Sequence, residues 1–192
     1  MPMTPAELAE KLGELPPSSA VSLRFKAEGY FDAIRSIVDI FGPKNDLNVI
    51  YITSAMPSHS MIEVLEMLEI DMKRIYFVDC ISHIMMGAQM KHENVIFVES
   101  PTMLENIMLK VEYLMRKTKE KKCVILLDSI NSLAIHNNPK ILSEFLHIFV
   151  NNFRSKGAYT IVFAMDEYSS EEILNILYMV IENSISVSDQ EG

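Results

Sequence analysis

Four apolar runs in this chain each end on a carboxylate: Ile75–Asp79, Val95–Glu99, Val124–Asp128 and Ile161–Asp166. Runs that are apolar at every position read as strands buried on both faces, the mark of a parallel sheet. Between them lie amphipathic stretches long enough for right-handed crossover helices. Strands and helices alternate along the whole chain, which predicts an α/β three-layer sandwich with a mostly parallel sheet flanked by helices. Open sheets of this kind bind ligands outside the carboxyl ends of their strands. The pattern therefore gathers acids where a site belongs.

The strands expected beside these four are a first at about 20–27, a second at 47–52 and a final edge strand at 184–187. Helices are expected near 29–41, from Ser60, from Ser100 onward, over 138–155 and from Ser169. Gly42-Pro43-Lys44-Asn45 reads as a turn and Gly157 as a helix stop. Thr4-Pro5-Ala6-Glu7 carries a capping residue, a proline at the first helical position and a glutamate that closes a capping box. Pro16-Pro17 ends that helix. Residues 1–17 are thus read as an N-terminal helix and linker appended to a core domain of 18–188, with 189–192 as a disordered tail.

Composition narrows the function classes. The formal net charge of −9 argues against nonspecific binding to nucleic acid or to an anionic membrane. No apolar run reaches the ~20 residues of a membrane span, and the first residues lack the pattern of a signal peptide. The two cysteines, Cys80 and Cys123, both flank apolar strands and read as buried thiols in a reducing cytoplasm. The basic stretch 116–122 falls at a helix end, where it complements the helix dipole. His59, His83, His92, His136 and His147 show no paired ligand spacing. Asp79, Glu99, Asp128 and Asp166 are hard oxygen donors suited to Mg²⁺ or Ca²⁺; the competing reading is that they cap turns and helices. Met85, Met86 and Met90 make residues 80–93 apolar and adaptable, suited either to the core or to a docking surface.

The segment Val124-Ile125-Leu126-Leu127-Asp128-Ser129 has the form of a Walker B strand, whose aspartate helps hold Mg²⁺ beside a nucleotide. With its continuation Ile130-Asn131-Ser132-Leu133 it resembles archaeal RecA-superfamily proteins of the KaiC-like ATPase type. Asn48–Ser54, Lys73–Asp79 and the helix Phe145–Gly157 are similar to the corresponding segments of that family. The resemblance spans roughly 18–188 and implies a RecA-like, P-loop NTPase-type sheet.

Two departures qualify what it implies for activity. Family members that bind ATP carry G-x-x-x-x-G-K-[ST] after the first strand, so that backbone amides surround the phosphates and a lysine neutralises them. Here Lys26–Arg35 holds one glycine, Gly29, no Lys-Ser/Thr pair, and the acids Glu28 and Asp32, which oppose an anion at a helix start. The family pattern also places an acidic pair, with a catalytic base, after strand two; those places hold Thr53 and Ser54. The resemblance thus implies a vestigial nucleotide site near Glu28, Gly29, Ser54, Asp128 and Ser129, with no catalytic residue and no cofactor expected. The expected function is a noncatalytic binding or regulatory module acting on a protein partner or as a homo-oligomer. The alternatives are an ATP/Mg-using or metal-binding enzyme with an unconventional site at the acidic edge, Asp128 being the possible ligand, and a structural subunit of an archaeal signalling or motility complex.

Overall fold

The computed structural model describes residues 1–87, 91–118 and 122–188. Its strands are β1 (Ala20–Phe25), β2 (Asn48–Thr53), β3 (Ile75–Asp79), β4 (Val95–Phe97), β5 (Cys123–Asp128), β6 (Tyr159–Met165) and β7 (Asn183–Ser186). They form one sheet in the order β4-β3-β2-β5-β6-β1-β7, and every pairing is parallel. The expected α/β sandwich is present, with the sheet wholly rather than mostly parallel among the described residues.

The helices are α1 (Pro5–Glu14), α2 (Tyr30–Arg35), α3 (Gly42–Lys44), α4 (Ser58–Met67), α5 (Ser82–Met86), α6 (Leu104–Lys117), α7 (Ile130–His136), α8 (Pro139–Ser155) and α9 (Glu171–Val180). Alternate strand residues face opposite layers. Ile50, Ile52, Ile125 and Leu127 pack with the buried faces of α6, α7, α8 and α9. Val49, Tyr51, Val124 and Leu126 pack with those of α1, α2 and α4.

Several expected boundaries shift. Ile34, Ile37, Val38 and Phe41 are buried as the helical spacing requires, but the helix passes from α2 into a π-helical stretch, Ser36–Phe41, and then into α3. Gly42-Pro43 therefore continues the helix instead of turning. A side chain at Gly42 would meet the Ile37 carbonyl oxygen at 3.0 Å and Val49 at 3.2 Å, so the glycine lets this helix end lie against β2. Gly157 does stop α8, with φ of +77°. The start of α6 falls at Leu104, later than Ser100. α4 begins at Ser58, and α9 is capped by Ser170, whose side chain accepts from the Ile173 N–H.

α1 is not an appendage. Its capping box forms as read, and Leu8 and Leu12 are buried in the same core as β1 and α2. The Met3 N–H also donates to the Val187 carbonyl at 3.2 Å, tying this end of the chain beside β7. Met90, the centre of the basic stretch and the tail 189–192 lie outside the described residues. Cys80 and Cys123 are free and buried, and burial raises both thiols above their ordinary range. Among the described residues no helix is long and apolar enough to cross a membrane.

Candidate functional site

The carboxyl edge of the central strands is closed by tyrosines. Asp128 ends β5 and shares its face with Val124 and Leu126, the side on which α2 lies. It is fully buried. Tyr51, two residues before the end of β2, donates its hydroxyl to Asp128 Oδ2 at 2.5 Å. Tyr30, the first residue of α2, donates to the same oxygen. Both rings are buried, and Phe25 and Phe163 complete an aromatic cluster around Tyr30 with ring centroids 6.1 and 6.4 Å away. Phe25 and Phe163 pack edge to face at 4.8 Å.

Only one oxygen of this carboxylate is served. Oδ1 is buried without a hydrogen-bond partner among the described residues. Burial pushes Asp128 up to about 6, while the hydrogen bonds from Tyr30 and Tyr51 pull the other way. The same burial, with the Asp128 charge, holds both phenols above their ordinary range.

The segment that would cradle phosphate is a short 3₁₀ turn, Ala27–Gly29. Its Ala27 N–H is taken by the Glu167 carboxylate, at 3.1 and 3.2 Å from the two oxygens. Glu28 and Asp32 are exposed, and Gly29 has an ordinary negative φ. The segment thus has one acid already bound to its amide and a phenol aimed inward where a lysine would reach out. The residues present do not fit a Mg²⁺–nucleotide.

The serines form a separate polar seam. Ser54 Oγ donates to the Asp128 carbonyl at 2.9 Å and lies 2.5 Å from Ser132 Oγ. Ser129 caps α7, accepting from the Ser132 N–H in a reciprocal box. The Asp128–Ser129 peptide is cis. Asn131 staples the end of β6: it accepts from the Met165 N–H at 2.8 Å and donates to Ser169 Oγ at 2.9 Å. Thr53 Oγ1 donates to the Met56 carbonyl. The residues at the acidic-pair positions are thereby committed to holding loops.

The other strand-end acids do not converge. Asp79 is fully buried and accepts from the N–H groups of Ser58, Ile81 and Ser82 and from the Ser82 hydroxyl, at 2.5 to 3.0 Å. Burial would raise this carboxyl, but the bonds from Ser58 and Ser82 outweigh it and hold it below its ordinary value. Asp166 pairs with Arg24 at 2.9 Å and accepts from Ser188 at 3.1 Å. Glu99 is exposed. Among the described residues no three His, Cys, Asp or Glu side chains come together as a metal-binding group.

Of the candidates, Ser54, Asp128 and Ser129 do meet, while Glu28 and Gly29 stand apart at the surface. Tyr30 and Tyr51 were missed. The available signal was a tyrosine inside an otherwise aliphatic strand and another at the start of the helix after β1, since a buried phenol needs a polar partner.

The sequence profile of the family described as "ATPase: KaiC" matches residues 40–191. The chain belongs to the KaiC family. The matched stretch starts beyond the β1–α2 segment just described. Among solved structures, a KaiC-like protein of the hyperthermophilic archaeon Pyrococcus horikoshii superposes with a TM-score of 0.66 at 14% identity, covering 91% of this chain and 73% of its own. The flagellar accessory protein FlaH of Methanocaldococcus jannaschii superposes with a TM-score of 0.64 at 15% identity, covering 96% of this chain and 77% of its own. No curated protein matches the sequence significantly. These likenesses establish a KaiC-like, RecA-type fold.

Proposed function

We propose that this chain is a noncatalytic KaiC-like module that works through protein contacts, its nucleotide site filled by its own side chains. One observation carries the reading. The Walker B-type aspartate, Asp128, is held inside an aromatic cluster by two phenols, so a nucleotide would have to displace a packed core. The occupied Ala27 amide and the loss of the lysine agree with it. A pseudo-ATPase keeps the sheet and its surfaces, and contacts with a partner or with a second copy are what those surfaces can offer. Ile84, Met85 and Met86 on α5 are exposed, Met85 by 61%, and supply one such surface. Free, buried Cys80 and Cys123 suit a reducing cytoplasm.

The test is a calorimetric titration with ATP and Mg²⁺. No saturable heat is expected up to millimolar nucleotide. Micromolar binding would overturn the proposal.

The unpaired Asp128 Oδ1 favours a second reading, an ATPase-like or metal-binding enzyme with an unconventional site. A melting temperature that rises with Mg²⁺ in the wild type and not in Asp128→Asn would support it. A third reading, a subunit of an archaeal motility complex, draws on the shared fold with FlaH.

A further inference from the structure

α6 and α8 lie side by side over the sheet, with Ile107, Val111 and Leu114 of the first and Leu142, Phe145 and Phe149 of the second in one core. At one end they are tied by polar groups: Asn152 and Lys156 both bind Glu112 Oε1, at 2.9 and 2.5 Å. Away from this tie the outer faces of the two helices form an apolar groove. One wall is Ile141, Phe145 and Ile148, at the spacing of a single helical face; the other is Leu104, Met108 and Leu109. Leu109 is 58% exposed, Ile141 54% and Ile148 57%. Every charged side chain that lines this groove is acidic, namely Glu105, Glu144 and, at the tied end, the Lys156-paired Glu112.

We infer that this groove receives an amphipathic helix of a partner protein, with apolar residues on one face and lysine or arginine on its flanks. Helix-in-groove recognition needs a hydrophobic trough that meets anchors at i, i+3 or i+4 and i+7. The Ile141–Ile148 wall runs about 10 Å, two helical turns, which matches that set of anchors. The acidic lining selects the charge of the visitor. A second copy of this chain would bring a net charge of −9 against Glu105 and Glu144, and nucleic acid or an anionic membrane would be repelled in the same way. The inference rests on the reading of the domain as a contact module and names the chemistry of one partner. The groove shares no residue with the tyrosine–aspartate cluster.

The experiment uses the full chain and a labelled peptide of roughly fourteen residues, with leucines at i, i+4 and i+7 flanked by lysines. Its twin carries glutamate in place of each lysine. By fluorescence anisotropy the lysine peptide should bind at least about tenfold tighter than the twin, and the preference should shrink with salt. Ile148→Asp on one wall and Leu109→Asp on the other should each weaken it by about tenfold or more. Both positions are exposed, so circular dichroism should show folded protein, and if one variant unfolds the other still reports. Glu105→Lys with Glu144→Lys should reverse the preference between the two peptides. Equal binding of the twins, or binding indifferent to both wall variants, would overturn the inference. So would self-association of the chain in sedimentation equilibrium that Ile148→Asp abolishes, since the groove would then belong to a second copy. Nucleotide binding, measured separately, leaves these outcomes unchanged; its appearance alone would defeat the pseudo-ATPase reading and not this one.

Discussion

Asp79 and Asp128 end β3 and β5, the two strands on either side of β2 in the same sheet, and both are fully buried. Their surroundings are opposite. Asp79 faces the starts of α4 and α5, where backbone N–H groups lack helical partners, and it accepts four hydrogen bonds. Asp128 faces two phenols that crowd onto one oxygen and leave the other bare. Depth alone does not decide the state of a buried acid. What decides it is whether the number and direction of donors offset the lost water. By this measure Asp79 is a structural keystone, and Asp128 is an acid kept where an apolar core would suit the fold better.

The comparison breaks most visibly at Asp79. Asp79→Ala removes the acceptor for three buried N–H groups and for the Ser82 hydroxyl, and about 4 kcal/mol of stability should go with it. At roughly 2–4 °C per kcal/mol for a chain of this size, the melting temperature should fall by about 10 °C. A drop of only a degree or two in a thermal melt would mean that the two helices do not depend on this carboxylate.

The second effect is a pH dependence of opposite sign at the two acids. The pKa of Asp128 is raised to about 6 in the folded protein from an ordinary 3.8. Between these values the folded state binds more protons than the unfolded one, so this group's contribution falls as pH rises from about 4 to about 6 and is flat above. The full difference is up to about 3 kcal/mol. Asp79, held low, contributes stability above the unfolded value that is lost as pH falls below it. Urea unfolding of wild type and Asp128→Asn across this range isolates the Asp128 part. The variant should gain relative to the wild type as pH rises towards 6 and be the more stable at pH 7. Parallel curves would show that the aspartate does not titrate in this window.

A smaller effect tests the phenols. Tyr30→Phe leaves Tyr51 as the remaining donor to Asp128 and should cost about 2 kcal/mol at pH 7, the worth of a hydrogen bond to a charged group. It should also move the Asp128 transition to higher pH, a shift that loss of packing alone would not produce. The smallest effect concerns acids that the sequence puts beside this site. Glu28→Gln and Asp32→Asn replace exposed side chains, and each should change stability by no more than about 0.5 kcal/mol. A larger change in either would mean that the α2 start senses charge as the phosphate-binding segment of a nucleotide enzyme does.

Hydrophobic patterning made the layers legible, because a parallel strand buried on both faces has few ways to look. It also located the carboxyl edge and the Asp128–Ser129 motif. It did not tell an acid that meets water from one that meets a helix start or a pair of phenols. That distinction depends on partners far along the chain: Tyr51 is 77 positions from Asp128, and Ser58 is 21 from Asp79. Spacing within one segment carries no record of either. The reading of these acids as caps holds at Asp79, which serves the starts of α4 and α5, and for that reason it does not reach the two phenols on Asp128. Amphipathic spacing likewise groups Ile141 with Leu142 and Phe145 on the 138–155 helix, yet Ile141 lies at the rim. A broad apolar stripe does not show where neighbouring helices stop covering it.

The strand order has a consequence for how the protein is made. β1 pairs with β6 and β7 and with no other strand in the sheet, Ala20 lying opposite Thr160. During synthesis an apolar strand therefore emerges early while its neighbours are still to be translated. At about 5–20 residues per second it waits on the order of ten seconds or more. Over that interval β2, β3, β4 and β5 can assemble among themselves, and the first strand made is among the last to be seated. Until β6 arrives the backbone edges of β1 stay unpaired, with α1 and α2 alone to lie against Val21, Leu23 and Phe25. The ribosome and any chaperone beside it must shelter them.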